Sequence, residues 1–390
     1  MAAQTELANS QAESFAHSHG SPIQTRSERL QSENPADYAP ISRLEEQWKY
    51  TSSDQLAGLD SDDVSEYLGD INAQLGAGTA TSWVGPESEH FGAAGIPEDL
   101  VSAVAWSAAA EAYLVDIAEN ESPSLSTITL DSNDSNPSAL HLIVRASKHS
   151  ESVVILDHVG TGVLAENIEL IVEAGAKLTF VSVQDWKKGS VHAASHYAKL
   201  GRDAQLKHIV VTLGGDVVRI TPNAYLTSPG ASVELLGAYF AGAKQHIENR
   251  CFVDHEATNC KSRVTYKGAL QGDKAHTIWV GDVLIRATAE GTDTYELNRN
   301  LLLTDGARAD SVPNLEIETG QIEGAGHASA SGRFDDEQLF YLQSRGITEL
   351  DARRLVVQGF LNEVIQQIDS EAIRERLSLA IEAELVRGLN

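Results

Sequence analysis

The sequence predicts a mainly β protein, a parallel β-solenoid core with a helical segment before it and a helical domain after it. Three observations predict this. From about Ala112 the chain breaks into short runs rich in β-branched residues and separated by turns, fourteen of them, from AYLVDI, SLSTITL and LHLIVRA to NLLLT and NLEIE. The corners between runs recur in kind: Gly175-Ala176-x-Leu178, Asp203-Ala204-x-Leu206 and Gly230-Ala231-x-Val233 lie 28 and 27 residues apart. After Gly332 the apolar period becomes helical.

A repeat of that size, with a small residue at each corner, suits coils that stack one on the next. Lys274-Ala275 and Gly306-Ala307 echo it less regularly. A β-sandwich also yields many short strands and stays open on the pattern alone. It turns by hairpins, however, and Asp305-Gly306 is the one clear hairpin dipeptide.

Ahead of the strands, residues 1–38 are rich in Ser, Gln, Glu and Asn and predict a disordered tail, because they cannot bury enough surface to offset their ordering entropy. His17 and His19 in that tail read as solvated histidines. Residues 39–110 predict a mostly helical region. Ser42 and Glu45 form a capping-box pattern for a short helix presenting Leu44, Trp48 and Tyr50, and a second helix runs from Pro97 through Leu100, Val104 and Ala108. Residues 111–333 then form the solenoid and 334–390 the helical domain.

In that last domain Asp335, Asp336 and Glu337 open a helix where its dipole favours negative charge, and Gly346 fits the left-handed position past its end. Thr348 with Asp351 caps a second helix bearing Leu355, Val356, Phe360, Val364 and Ile368; Ser370 starts a third with Ile373, Leu377, Ile381 and Leu385 on one face. So short a tail has little interior of its own, and part of this apolar surface is expected to face a partner.

Composition excludes several functions. A net charge of −27 argues against a nucleic-acid surface, which needs clustered cations to replace counterions. Two cysteines, Cys251 and Cys260, are too few for a disulfide framework and too far apart for a zinc or cluster motif; they read as small buried hydrophobes in a cytoplasmic protein. The N-terminus lacks the basic and apolar regions of a signal peptide, and Val101–Val115 is too short and polar to span a bilayer. Gly237 and Gly242 have Walker spacing, but Ala243 stands where the phosphate-gripping lysine belongs. There is no G-x-S-x-G elbow, and Gly324-x-Gly326 lacks the third glycine of a dinucleotide loop. His192 and His196 would share a helical face, but the glutamate of a zinc-protease motif is missing, and they read as surface or turn histidines.

Four blocks carry a resemblance: EEQWKYT near the N-terminus, SRVTYKGAL, YELNRNLLL, and PNLEI followed by GAGHASASGRFDDEQLFYLQSRG. Together they resemble the SufB/SufD scaffold family of the SUF iron–sulfur cluster assembly system, from about Arg43 onward. The resemblance implies a right-handed parallel β-helix core and a non-catalytic scaffold. Its C-terminal helices would dock the SufC ATPase through Phe340, Leu355, Phe360, Val364 and Ile368, and its β-helix would pair with SufB. A SufB chain would carry a cysteine in the region Glu323–Ser331; none occurs here, which places the resemblance on the SufD side.

His327, alone in a run of small residues, reads from its neighbours as a packed or turn histidine. The resemblance instead implies a ligand at the SufB interface, for which a neutral imidazole with small neighbours is suited. Some family members carry a cysteine two residues earlier, where this chain has Ala325. No cofactor is expected to bind this chain stably, only a transient iron–sulfur cluster in the complex. A homodimer outside the complex is compatible with this reading. A rival from another class is an exported β-helix enzyme acting on polysaccharide, which would need export and a carboxylate or arginine constellation along one exposed face.

Overall fold

The computed structural model describes residues 29–120, 122–333 and 336–387. Its core is a parallel β-solenoid of about eight turns, in which each coil lays one strand on each of two facing stacks. The first stack holds the N-terminal halves of β5 (Ser124–Ala146) and β6 (Glu151–Val172), then β7 (Lys177–Trp186), β9 (Gln205–Thr212), β11 (Ser232–Ala241), β13 (Lys261–Leu270), β15 (Asp293–Leu302) and β17 (Gly324–Arg333). The second holds β4 (Ala112–Ile117), the C-terminal halves of β5 and β6, then β8 (Val191–Leu200), β10 (Val217–Leu226), β12 (His246–His255), β14 (His276–Ile285) and β16 (Arg308–Ile317). Parallel pairing in both stacks rules out the sandwich.

The recurring corners are the columns of this stack. Gly175, Asp203 and Gly230 take left-handed φ of 69°, 55° and 78°, as do His149, Asn259 and Gly291 at the equivalent corner of other coils. Each donates its backbone N–H to the next coil, Gly175 to the Arg202 carbonyl and Asp203 to that of Pro229. Behind each corner Ala176, Ala204 and Ala231 are fully buried, followed by Leu178, Leu206 and Val233 in one interior ladder. Lys244, Lys274 and Gly306 form the matching column at the other corner. Asp305-Gly306 therefore turns a corner between β15 and β16; it does not close a hairpin.

Two predicted boundaries change. The tail expected over 1–38 lies outside the described residues up to 28, with His17 and His19, but residues 29–38 are packed: Arg29 pairs with Glu98 at 3.0 Å and the Tyr38 hydroxyl donates to the Pro97 carbonyl at 2.7 Å. The region 39–110 is not mostly helical. It contains two 3-10 turns, the strands β1 (Ser65–Glu66), β2 (Asp70–Gln74) and β3 (Thr79–Val84), and one α-helix, α1 (Leu100–Ala108). Ser42 starts no helix; the reciprocal cap forms at Ser52 and Gln55, and α1 is capped by Asp99. Trp48 is buried as an anchor, its ring 4.0 Å from the Arg219 guanidinium, whereas Leu44 is 97% exposed.

The helical tail forms as predicted over the described residues, Asp335 lying outside them: α2 (Asp336–Ser344), then Gly346 at φ 86°, α3 (Glu349–Ile365) capped by Thr348, and α4 (Glu371–Arg387). These helices cover the outer face of the first stack, where Val357, Leu361, Val364, Ile368, Leu377 and Ile381 pack on Val181, Val211, Leu236 and Phe240. Arg376 clamps Asp157 and Lys267 pairs with Glu363 across the same seam. The N-terminal segment covers part of the second stack. No described helix is long and apolar enough to cross a membrane.

Candidate interface and ligand site at the open end

Strands alternate sides, so odd and even positions of each rung decide what enters the interior. At mid-stack the interior is unexpectedly polar. Glu166 Oε2 lies 2.8 Å from His158 Nε2 and 3.0 Å from His192 Nε2, all three fully buried. His196 Nδ1 meets His208 Nε2 at 2.8 Å beside Phe180. His192 and His196 are thus interior residues of β8, correcting the surface reading; four positions apart is an even spacing, which on a strand also keeps one face.

The triad has the donor types of a metal site, with ligand atoms all within 4.8 Å of one another. Its hydrogen bonds point elsewhere. His158 faces the Val183 carbonyl with Nδ1 and Glu166 with Nε2, so both nitrogens donate and the ring is an imidazolium. His192 Nδ1 accepts from Trp186 Nε1, leaving Nε2–H to donate to Glu166. A cation would have to displace both Nε2 protons and leave the Trp186 donor opposed. Burial alone would raise Glu166, but the His158 charge holds it far below the usual carboxylate range. The same pairing outweighs burial and raises His158, while burial lowers His192. Burial also lowers His196, with His208 adding to it, and takes His208 down to about 3.

The C-terminal end differs. Beyond β16 and β17 no further described strand pairs, so the stack ends on two exposed edges. Inside this end the Tyr239 hydroxyl donates to Asn300 Oδ1 at 2.8 Å and accepts from Asn298 Nδ2 at 3.0 Å; Asn298 also holds Ser311, and Asn300 reaches Ser331. Tyr239 and Tyr266 fit because their neighbours are glycines: a Cβ on Gly268 would stand 1.9 Å from the Tyr239 ring, and one on Gly237 2.1 Å from Tyr266. The false Walker glycine Gly237 thus serves interior packing.

His327 sits on β17, the last rung, paired in register with Glu296 of β15. It lies on the same side as Ala325, which packs on the interior cluster, yet its side chain is exposed because no coil covers it. Glu296 is 1% exposed, and burial, with Asp282 nearby, pushes its carboxyl up to about 8. Nothing in YELNRNLLL singles Glu296 out, since an isolated acid in a strand run reads as a solvated face.

Of the residues expected at a partner surface, the structure separates two sets. Phe340 and Leu355 are 72% and 54% exposed, with Tyr341 and Leu379 also uncovered. Val364 and Ile368 are buried against the protein's own β-stack, and Phe360 is half-buried under the Lys267 ammonium. The correction has a simple cause: the stripe that makes these helices amphipathic is spent on the solenoid face. Both cysteines are buried.

A stacked β coil with one end covered by reversed strands, the other ending on unpaired rungs, and helices laid along its flank defines the class as an open-ended parallel β-solenoid. Residues 128–360 match the family described as SUF system FeS cluster assembly, SufBD core domain. The chain belongs to the SufBD family of the iron–sulfur cluster assembly system. It is 50% identical over 350 residues to an iron-sulfur cluster assembly SufBD family protein of Mycobacterium leprae, covering 87% of this chain and 89% of that one. A protein of the same description from Mycobacterium tuberculosis is 49% identical over 351 residues, covering 87% and 88%. A second M. tuberculosis protein of that description is 28% identical over 218 residues, which are 56% of this chain but 25% of its own length.

Proposed function

We propose that this chain is the SufD-type, non-catalytic scaffold of a SUF complex. It pairs end-on with a SufB-type paralogue through β16 and β17 and docks a SufC-type ATPase on the uncovered side of α2, α3 and α4. The observation that carries the reading is the place of His327: exposed, on the terminal rung, at the mouth of a polar interior. Unpaired edge strands template pairing with another chain unless they are blunted. The small residues Gly326, Ala328 and Ser329 let a partner backbone and its thiolate come close. The nascent iron–sulfur cluster is cargo at this junction, with His327 as this chain's nitrogen ligand. ATP-driven movement of the ATPase subunits would expose that junction. The test is His327→Ala in the complex reconstituted with both partners. Assembly of the complex should be unchanged and cluster yield should fall at least about tenfold, since even the loss of a residue that only supports a ligand costs metal sites about 10–100-fold; full yield would remove the ligand role. The same open end in a second copy of this chain accounts for a homodimer when the paralogue is absent.

A further inference from the structure

We infer that Glu296 is a second ligand at the open end and that, with His327, it binds a divalent transition-metal cation of the ferrous type. The inference rests on the proposed role of His327 and extends it to a residue buried one rung below.

Glu296 and His327 are register partners on adjacent rungs, and parallel strands stack about 4.8 Å apart, so side chains on one face lie one above the other. Both Glu296 oxygens are buried and without a hydrogen-bond partner. Every other buried carboxylate among the described residues has one. Glu166 holds two imidazoles; Glu169 accepts the Gly92 and Ala94 amides; Glu248 takes Thr51 and Arg250. Asp157 and Asp254 are clamped by arginines, Asp99 meets Arg219, Glu98 meets Arg29, and Asp282 takes Asn314. A buried polar group left unmatched is costly, and native structures keep few without a reason.

The space around Glu296 is also made for it. Across the interior stands Gly281, where an added Cβ would fall 2.6 Å from Glu296 Oε1. Cover above the carboxyl comes from the rung that bears His327, and beyond that rung the end is open. An oxygen donor beneath an imidazole, with remaining positions facing a docking partner, is a ligand set for ferrous, manganous or zinc ions, and too oxygen-poor for calcium or magnesium. The mid-stack triad has the same residue types, but its protons and Trp186 already use the ligand atoms.

The test is anaerobic titration of the full-length chain with Fe²⁺, and with Mn²⁺ followed by electron paramagnetic resonance, for wild type, Glu296→Gln and His327→Ala. Wild type should bind one cation saturably, and each substitution should weaken it at least about tenfold, the effect expected for one lost contact of about 1.4 kcal/mol. Gln keeps the volume, and circular dichroism of each variant checks the fold. His327→Ala, at an exposed position, tests the site even if Glu296→Gln misfolds. No saturable binding by wild type, or unchanged binding by a folded Glu296→Gln, overturns the inference. Unchanged binding in Glu296→Gln together with lost cluster yield in His327→Ala overturns the Glu296 site and leaves the scaffold reading intact. Weakened binding in both variants with no complex formed by wild type supports the cation site and removes the scaffold reading.

Discussion

The two ends of the solenoid are treated oppositely. At the start, β2 runs antiparallel to the first half of β5 and β3 runs antiparallel to β4, so both stacks end on a strand that reverses direction and cannot continue the coil. At the finish, β16 and β17 each pair on one side only, and β17 is built of GAGHASASGR with little to obstruct an incoming strand. Repeat proteins need capped ends to stay apart from one another, and an uncapped end leaves backbone groups available for pairing. The interior follows the same division. Mid-stack, Glu166 is matched by two imidazoles; at the open end Glu296 is matched by none and His327 stands in solvent.

That contrast can be broken at either place. The largest effect is expected from Ser329→Lys, which puts a charge on the open edge where docking would bury it unpaired. Binding to the paralogue should fall roughly a hundredfold or more in a titration, because an uncompensated buried charge costs about 3–5 kcal/mol. Binding to the ATPase should be unaffected. Phe340→Asp should do the reverse, with a loss of about 2 kcal/mol in ATPase affinity and no change in folding, since the ring is uncovered in the isolated chain. Equal losses for both partners from either substitution would merge the two surfaces.

Glu166→Ala should leave partner binding alone but destabilise the isolated chain by about 3–5 kcal/mol in urea, by stranding the His158 imidazolium. A smaller effect is pH dependence. Burial takes His208 and His255 down to about 3 and about 4, so they fold neutral, while an unfolded histidine takes a proton near pH 6.5. Their stabilising contribution is complete above pH 6.5 and is lost as pH falls toward 4, at most about 1.4 kcal/mol per pH unit for each ring. Urea midpoints at pH 7.5 and 5.5 should show the loss, and His255→Gln should reduce it by one ring's share. A midpoint flat over that interval would contradict the neutral state of these two rings.

How much of this was legible in the sequence depends on what sets each element. Strands such as AYLVDI and SVELLGAYF carry β-branched residues and announce themselves. The strands VHAASHYAKL and GAGHASASGR do not, because stacking on neighbouring rungs, not their own propensity, makes them strands. The corner repeat was readable because a left-handed backbone and a buried alanine recur at one spacing. The capping pattern at Ser42 misled because three residues of 3-10 turn suffice to seat Trp48. Val364 and Ile368 were visible as an apolar stripe, but a sequence does not say which of two surfaces a stripe will meet. His327 was singled out by its motif, and Glu296 was not singled out at all, since its burial without a partner shows only once the rungs are stacked.

The most direct measurement is hydrogen exchange of the chain alone and with its SufB-type paralogue. The account predicts that the outward-facing amides of residues 308–317 and 324–333, those not bonded to β14 and β15, exchange fast in the free chain and become protected on complex formation, while residues 70–84 at the covered end do not change. Protection confined to the covered end or the helices, with the terminal rungs still exchanging, would contradict it.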